Sequence, residues 1–535
     1  MHSIILGCMR LIPTILLLCV LSACASPVAT PAPASPTPLP PTPTASPLVP
    51  PEPLTGTWLG AATMPDGASA SMQIAFNDSE TKLSIEPRTQ SWKLTVTQNI
   101  KDLQFTAAGG KRDPFQKLEF AGTFAAGVLS GQMNWDGTTS EITFAPLASV
   151  DKTVLEKYEV LYRFESGRAL SILVSPEFAS GGLTFFSQTL MMTDFDSGAL
   201  RSLYPTSDAN FLVGVLRDVG APFDGRIEFV RDELGSVSGL RWWASADLTD
   251  SRPAELAIRI DYHLEDHISF TSADGTKLAG RLSIPKSDSP APAFMMLHGS
   301  EPGTRDDFGD KLIAHYMISR GFAILNYDKR GVGDSEGTYH EGPSPANLQR
   351  HADDAIAGVE YLASRAEIDS KRIGLIGFSQ AGWVIPLAAS QSSAVTHIVI
   401  LSGPVSSVHQ EDVYSSYTND GESVTQYDDA KITQQMRDLT PSGFDSTPII
   451  AALKQPGLWL WGGVDKSIPV TYSAENLQAL IDSGKSNFSY QIFPNADHGL
   501  GVSANGLFSE IPYSPRVVFY SALTQWLETN MLKEK

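Results

Sequence analysis

Ser379, Asp465 and His498 lie far apart in this chain, yet each follows a short apolar run. A serine hydroxyl is a poor nucleophile until a base takes its proton during attack. An imidazole suits that task because its ordinary pKa, about 6.5, lies near neutrality. A carboxylate beside the ring can fix its tautomer and stabilise the cation that forms. A serine, a carboxylate and a histidine in that chain order, each at the carboxyl end of an expected strand, outweigh any single motif.

The serine stretch is the most informative. Arg372 to Trp383 reads as a buried strand (Ile373, Leu375, Ile376), a sharp turn, then a helix. Gly377, Ser379 and Ala381 place small residues through the turn, where strand and helix pass closely. The pattern is G-x-S-x-G with alanine at its last position and Gly382 just beyond. A serine there stands at the turn's tip, before the first free N–H groups of the next helix. A glycine-rich turn with a bystander serine is the alternative.

The second half of the chain must position these groups. From about Asp261 onward, strands and helices alternate. A hairpin turns at Ala273-Asp274-Gly275, between Ile268–Thr271 and Leu278–Ile284. Strands follow at 293–297, 322–327, 373–376, 397–401, 458–461 and 490–493. Helices are expected at 310–320, at 347–365 with Ala355, Ile356, Val359 and Leu362 on one face, and at 515–532. Such alternation implies a mostly parallel sheet wrapped in helices, with ligands outside the strands' carboxyl ends. His298-Gly299-Ser300 follows one strand there, and Tyr327-Asp328-Lys329-Arg330-Gly331-Val332-Gly333-Asp334-Ser335 spans the end of the next.

These motifs together resemble the α/β-hydrolase family, in particular bacterial serine esterases and serine-peptidase-like members with H-G-S and Y-D-x-R-G-x-G-x-S sequences. The resemblance covers about half the chain. It implies Ser379 as nucleophile, His498 as base and Asp465 as the acid. The developing oxyanion then needs fixed donors, expected to be the backbone N–H groups of Gln380 and Ser300. Residues 404–453 fall where this family places a cap. Tyr414, Tyr417 and Tyr427 among Asp412, Asp420, Asp428 and Asp429 read as a small mobile acidic lid or as solvated surface.

Several neighbours compete for these roles. Asp497 adjoins His498, but adjacent side chains of an extended segment point oppositely. Asp328 and Asp334 are expected to brace their glycine-rich loop, His298 to bond backbone in its turn, and Arg305 and Arg330 to form ion pairs rather than hold a substrate carboxylate. No H-E-x-x-H or H-x-x-E-H spacing occurs, so no metal and no cofactor are expected.

The remaining sequence sets the context. A chain of 535 residues is too long for one core. Its 39 basic against 59 acidic residues give a net charge of −20, which argues against nucleic acid and against adhesion to anionic lipid. The three cysteines, Cys8, Cys19 and Cys24, leave nothing after residue 24 for disulfides, thiol catalysis or cysteine-based metal sites. Residues 1–24 read as an export signal, with Arg10 before the apolar stretch Leu11–Leu21. Leu21-Ser22-Ala23-Cys24 resembles the lipobox of bacterial lipoproteins, which implies cleavage before Cys24 and lipid on its sulfur. The protein is then expected outside the cytoplasm, touching the membrane only through that anchor, or secreted if the lipobox is unused. Residues 25–53 hold a Pro/Thr/Ala/Ser tract with 12 of the 36 prolines. At about 3.1 Å per residue it reaches at most roughly 90 Å as an extended spacer.

Residues 54–150 alternate apolar and polar residues in short runs, as in Ser71–Phe76 and Trp92–Val96, and read as an antiparallel barrel or sandwich. A second β-rich region spans 151–260, and 261–535 is the catalytic α/β domain. Trp58, Trp135, Trp242 and Trp243 could line a ligand surface, though core packing is the plainer reading. The function expected is a serine hydrolase acting on a small-molecule or acyl ester, with activity rising through a midpoint at about pH 6–7. A peptidase or aminopeptidase on the same triad, and a non-catalytic cell-surface binding lipoprotein, are the alternatives.

Overall fold

The computed structural model describes residues 54–532, apart from 64–68, 78–79, 86–90, 100–101, 111–112, 114, 126, 176–177, 181–182, 187–188, 215–222, 224, 246–250, 424 and 508–515. All of these belong to one compact unit, residues 47–535. The export signal, Cys24, the proline tract and the turn at Pro65-Asp66-Gly67 lie outside the described residues.

Alternation decides the first region. In Asp102–Ala108, Leu103, Phe105 and Ala107 are buried while the residues between them are exposed, as a sheet with one wet face requires. Nine strands between Gly56 and Leu147 form one antiparallel sheet. The two strands at the ends of its spatial order, Ser91–Lys93 and Thr95–Gln98, are separated only by Leu94. The sheet therefore curls round on itself over a core of Trp58, Phe105, Phe120, Trp135 and Phe144.

The second β-rich region is a closed eight-stranded barrel. Val160–Phe164 pairs with Ala169–Val174 on one side and with Glu255–Arg259 on the other. Side chains fill it, with Tyr158 stacked on Phe229 and Tyr162, Phe211 and Trp242 around them. Trp58, Trp135 and Trp242 are thus core residues, and Trp243 lies under the Arg226 guanidinium at 4.2 Å.

The remaining strands build one eight-stranded sheet: β1 (Tyr262–Thr271), β2 (Lys277–Pro285), β3 (Ala291–Leu297), β4 (Ala323–Tyr327), β5 (Ile368–Phe378), β6 (His397–Leu401), β7 (Gly457–Gly462) and β8 (Phe488–Phe493). Their order is β1-β2-β4-β3-β5-β6-β7-β8. Pairing is antiparallel from β1 through β4 and parallel from there to β8. Every residue of β3, β4, β6 and β7 is buried, because helices cover both faces. On one face α2 (Pro345–Ala363), α3 (Ala381–Gln391) and α7 (Val470–Asp482) pack on Met295, Leu375, Ile400 and Trp459. On the other, α1 (Phe308–Ser319) and α8 (Tyr520–Leu527) pack on Phe294, Ile376, Val399 and Leu460. Between β6 and β7 lie α4 (Val408–Thr418), α5 (Asp429–Asp438) and α6 (Thr447–Ala452).

The barrel docks on this second face. Leu161, Leu173 and Phe195 join the core of α1 and α8. Ser171 Oγ lies 2.7 Å from His315 Nδ1, and Arg163 donates to the Ser319 carbonyl. The closing helix starts at Tyr520 rather than near 515. Arg516 and Val517 are drawn instead into bridges with Ala199 and Gly501, so their backbone groups are committed elsewhere.

Candidate active site

β5 feeds its residues into a turn that only small groups can make. A Cβ on Gly377 would stand 2.6 Å from the Ala381 methyl and from the Leu297 carbonyl. A Cβ on Gly382 would stand 2.7 Å from Gly403 and Pro404. The alanine that departs from the motif is therefore accommodated by Gly377, and the close backbone approach passes to Gly382. Ser379 sits at the tip with φ +53°, a left-handed conformation costing a non-glycine residue about 1–2 kcal/mol. Its N–H still pairs with the Leu401 carbonyl at 3.0 Å, continuing the β5–β6 ladder. The hydroxyl-bearing residue is half-buried, and the N–H of Gln380 precedes the first hydrogen bond of α3.

The loop after β3 runs beside the serine. A Cβ on Gly299 would stand 3.4 Å from Ser379 Cβ and 2.5 Å from Glu301 Oε2. Glu301 Oε1 accepts from the Gly299 N–H at 3.0 Å, which leaves the Ser300 N–H as the next donor along this turn.

Asp465 and His498 are brought together by glycines. A Cβ on Gly462 would stand 2.2 Å from the Asp497 carbonyl, and one on Gly463 2.8 Å from Pro494. With neither present, the β7 and β8 loops touch backbone to backbone: Gly463 N–H to Phe493 O at 2.7 Å and Val464 N–H to Ala496 O at 3.0 Å. Asp465 Oδ2 then lies 2.9 Å from His498 Nδ1. Its other oxygen accepts from the N–H groups of Ser467 at 2.8 Å and Ile468 at 3.0 Å. The carboxylate is buried and fully engaged.

The His498 loop is held from behind. Asp497 exchanges two bonds with Gly501, N–H to carbonyl at 2.9 Å and Gly501 N–H to Asp497 Oδ1 at 3.0 Å. Asp497 thus shapes the loop instead of orienting the imidazole. Leu500 and Val502 pair with Val518 and Arg516, and Val517 N–H donates to Gly198 O of the barrel at 2.8 Å. Arg516 Nε donates to Ser197 O at 2.8 Å. The barrel therefore reaches the candidate histidine through one continuous ladder.

Electrostatics favour a charged imidazole. Burial acts against the cation and is the largest single influence on His498. The adjoining Asp465 carboxylate, with Asp420 and Asp497 farther off, outweighs it and raises the pKa to about 9. The same cause predicts an activity midpoint above the 6–7 expected from an ordinary imidazole.

The competing groups have other partners. His298 Nε2 donates to the Tyr327 carbonyl at 2.6 Å, a bond to the neighbouring strand rather than within its own turn. Its Nδ1 faces Asp310 at 3.0 Å. Arg305 bridges Asp328 and Asp334, and Asp328 Oδ2 also accepts the Asp334 N–H at 2.9 Å. Arg330 clamps buried Asp354, with Nε to Oδ2 at 2.8 Å, and reaches Asp274 at 2.9 Å. Asp328 and Asp334 thus brace the glycine-rich loop, as expected, and Asp354 and Asp274 anchor it through Arg330.

Two residues of the cap reach the site, Tyr414 of the expected lid and Glu411, which its sequence does not mark. The Tyr414 hydroxyl donates to the Asp465 carbonyl at 2.8 Å. Glu411, one helical turn earlier on α4, has its carboxyl raised to about 8 by burial and by Asp412 and Asp420, against the pull of His498. Only the i, i+3 spacing from Tyr414 could have flagged it. Lys329 was passed over as well, between two residues of its motif that drew attention.

The structure thus bonds Asp465 to His498 and sets Ser379, Gln380 and Ser300 at the same strand-end rim. Residues 309–511 match the family model described as prolyl oligopeptidase family. Esterase EstD of Thermotoga maritima is 25% identical over 291 residues, 48% of this chain and 67% of its own. Human dipeptidyl peptidase 8 is 25% identical over 265 residues, 47% of this chain but only 28% of its own length. A solved Pyrococcus furiosus esterase aligns with 51% of this chain and 92% of its own, at 19% identity and a TM-score of 0.36. The C-terminal half of this chain has the α/β-hydrolase fold, and within it residues 309–511 are similar to the prolyl oligopeptidase family.

Proposed function

We propose that the protein cleaves carboxylic esters through an acyl-enzyme formed on Ser379. His498 Nε2 takes the hydroxyl proton as Ser379 Oγ attacks the ester carbonyl, and the backbone N–H groups of Gln380 and Ser300 receive the oxyanion. The tetrahedral adduct collapses, the alcohol leaves with the proton from His498, and water repeats the sequence to release the acid. The observation that carries this reading is the buried Asp465, which spends one oxygen on His498 Nδ1 and the other on two backbone N–H groups. With Nδ1 engaged by Asp465, proton transfer falls to Nε2. Ser379→Ala should abolish turnover of p-nitrophenyl esters while leaving the fold intact; retained turnover moves the nucleophile elsewhere.

A peptidase on the same residues is the second reading, favoured by the family match and by Glu411. A carboxylate near His498 could hold a substrate ammonium group. Burial and the neighbouring Asp412 and Asp420 raise the Glu411 carboxyl to about 8, so that role requires a bound amine to draw it into its charged form. Comparing short-chain esters with aminoacyl-anilides on one preparation separates the two.

We also infer a lipid anchor at Cys24, with the proline tract as spacer, outside the cytoplasm. Labelled fatty acid should enter the full chain and be absent from Cys24→Ser; equal labelling of both refutes the anchor.

A further inference from the structure

Lys329 is the buried cation that the chemistry above leaves idle. It is 2% exposed, and no carboxylate among the described residues forms an ion pair with it. Burying an ammonium without a counter-charge is costly unless hydrogen bonds replace its water. Here they do. Nζ donates to the Gly299 carbonyl at 2.6 Å and to the Glu301 carbonyl at 3.0 Å. The ammonium also lies 5.6 Å from the centre of the Tyr339 ring, and the Tyr339 hydroxyl donates to the Ser300 carbonyl between them. Lys329's own N–H donates to the Gly303 carbonyl at 3.1 Å. Three consecutive carbonyls, 299, 300 and 301, are thus held from one side.

The Gly299 carbonyl and the Ser300 N–H belong to one planar trans unit and point in opposite directions. Pinning the carbonyl on Lys329 turns the N–H the other way. Gly299 itself borders the Ser379 side chain, as the 3.4 Å separation of its missing Cβ shows. A charge-assisted bond to a carbonyl also strengthens the N–H of the same peptide as a donor.

We propose that Lys329 is a positioning residue, whose grip on Gly299 and Glu301 aims and polarises the Ser300 N–H for the oxyanion. The inference rests on the serine-hydrolase reading of Ser379 and extends it to a residue that touches no substrate. Its signature is a loss in the transition state without a loss in substrate binding.

The test uses the full chain with p-nitrophenyl butyrate. Lys329→Met keeps the length and removes the donor. It should lower kcat about 30- to 100-fold, short of the full 100- to 1,000-fold cost of deleting a donor, with KM within about threefold. Affinity for an alkyl trifluoromethyl ketone, which forms a tetrahedral adduct, should fall by the same factor. Lys329→Arg should recover a substantial part of both. A folded Lys329→Met enzyme with wild-type kcat overturns the proposal, and so does a rise in KM at unchanged kcat. Should Lys329→Met fail to fold, Tyr339→Phe decides: it removes only the hydroxyl on Ser300 O and should cost about fivefold in kcat at constant KM, on the order of one neutral hydrogen bond. An unchanged kcat there is equally fatal. Ser379→Ala runs alongside. If it stays active, the reading of the site fails; if it is inactive while Lys329→Met matches wild type, only this inference fails.

Discussion

Asp465→Asn changes one atom and has an outcome the hydrogen bonds dictate. In the native site Oδ1 accepts from two backbone N–H groups, and Oδ2 faces His498 Nδ1 at 2.9 Å. An asparagine must keep its oxygen toward the two backbone donors, since turning the amide round would set N–H against N–H. Its NH2 group therefore faces His498 and donates to Nδ1. The ring proton is forced onto Nε2, the atom that must accept the Ser379 proton. The base is present in the wrong tautomer, and the imidazolium loses its counter-charge. Loss of a triad carboxylate in this manner costs about 10,000-fold in kcat, equivalent to about 5.4 kcal/mol in the barrier. Because the two backbone donors stay satisfied, the fold should survive, which circular dichroism and a thermal melt check. Steady-state hydrolysis of p-nitrophenyl butyrate supplies the rate. A folded Asp465→Asn enzyme retaining more than about a tenth of wild-type kcat refutes the reasoning, because a wrong-tautomer base cannot supply that rate.

Other expectations are briefer. kcat/KM should rise with pH, because His498 works only when neutral and its pKa is raised toward about 9 by Asp465, Asp420 and Asp497; a midpoint at or below 6.5 in a pH–rate profile contradicts this. Stability should run the opposite way. The His498–Asp465 pair contributes fully below the ordinary imidazole pKa and loses its contribution as pH rises through about 9. Gly198→Val should strain the barrel-to-histidine ladder, since Gly198 has φ +72° and a Cβ there would stand 1.9 Å from the Val517 carbonyl; kcat should fall at least about tenfold, in keeping with the cost of small misplacements. Unchanged kinetics would detach the barrel from catalysis. Arg330→Met should destabilise the domain by about 3–5 kcal/mol in a urea titration, by leaving the buried Asp354 carboxylate uncompensated, with KM unchanged in the folded fraction; a raised KM at unaltered stability would make Arg330 a substrate contact.

The sheet and its helices were legible because their strands are buried on both faces and read as unbroken apolar runs. Ile373–Ile376 and Leu458–Trp461 are the plain cases. The turns around Ser379 and Asp465 were legible too, since glycine there answers a specific collision: Gly377 with Ala381, Gly462 with the Asp497 carbonyl. The barrel's closure was not, because the pairing of Val160–Phe164 with Glu255–Arg259 joins segments nearly a hundred residues apart and leaves no local mark. Nor was the work of Lys329 and Tyr414, which bond backbone carbonyls of distant loops; a carbonyl has no residue type to read. The pKa of His498 was missed for a related reason. Its shift depends on how many carboxylates the cap and loops bring near, and that is a property of packing.

The most direct measurement is covalent. The full chain is incubated with a fluorophosphonate near pH 8, its residual esterase activity is followed, and the adduct is located by peptide mass spectrometry. Activity should fall in proportion to labelling, with one phosphonyl group per chain, on Ser379. An adduct on another residue accompanying the loss, or full turnover by protein already modified at Ser379, would contradict the account.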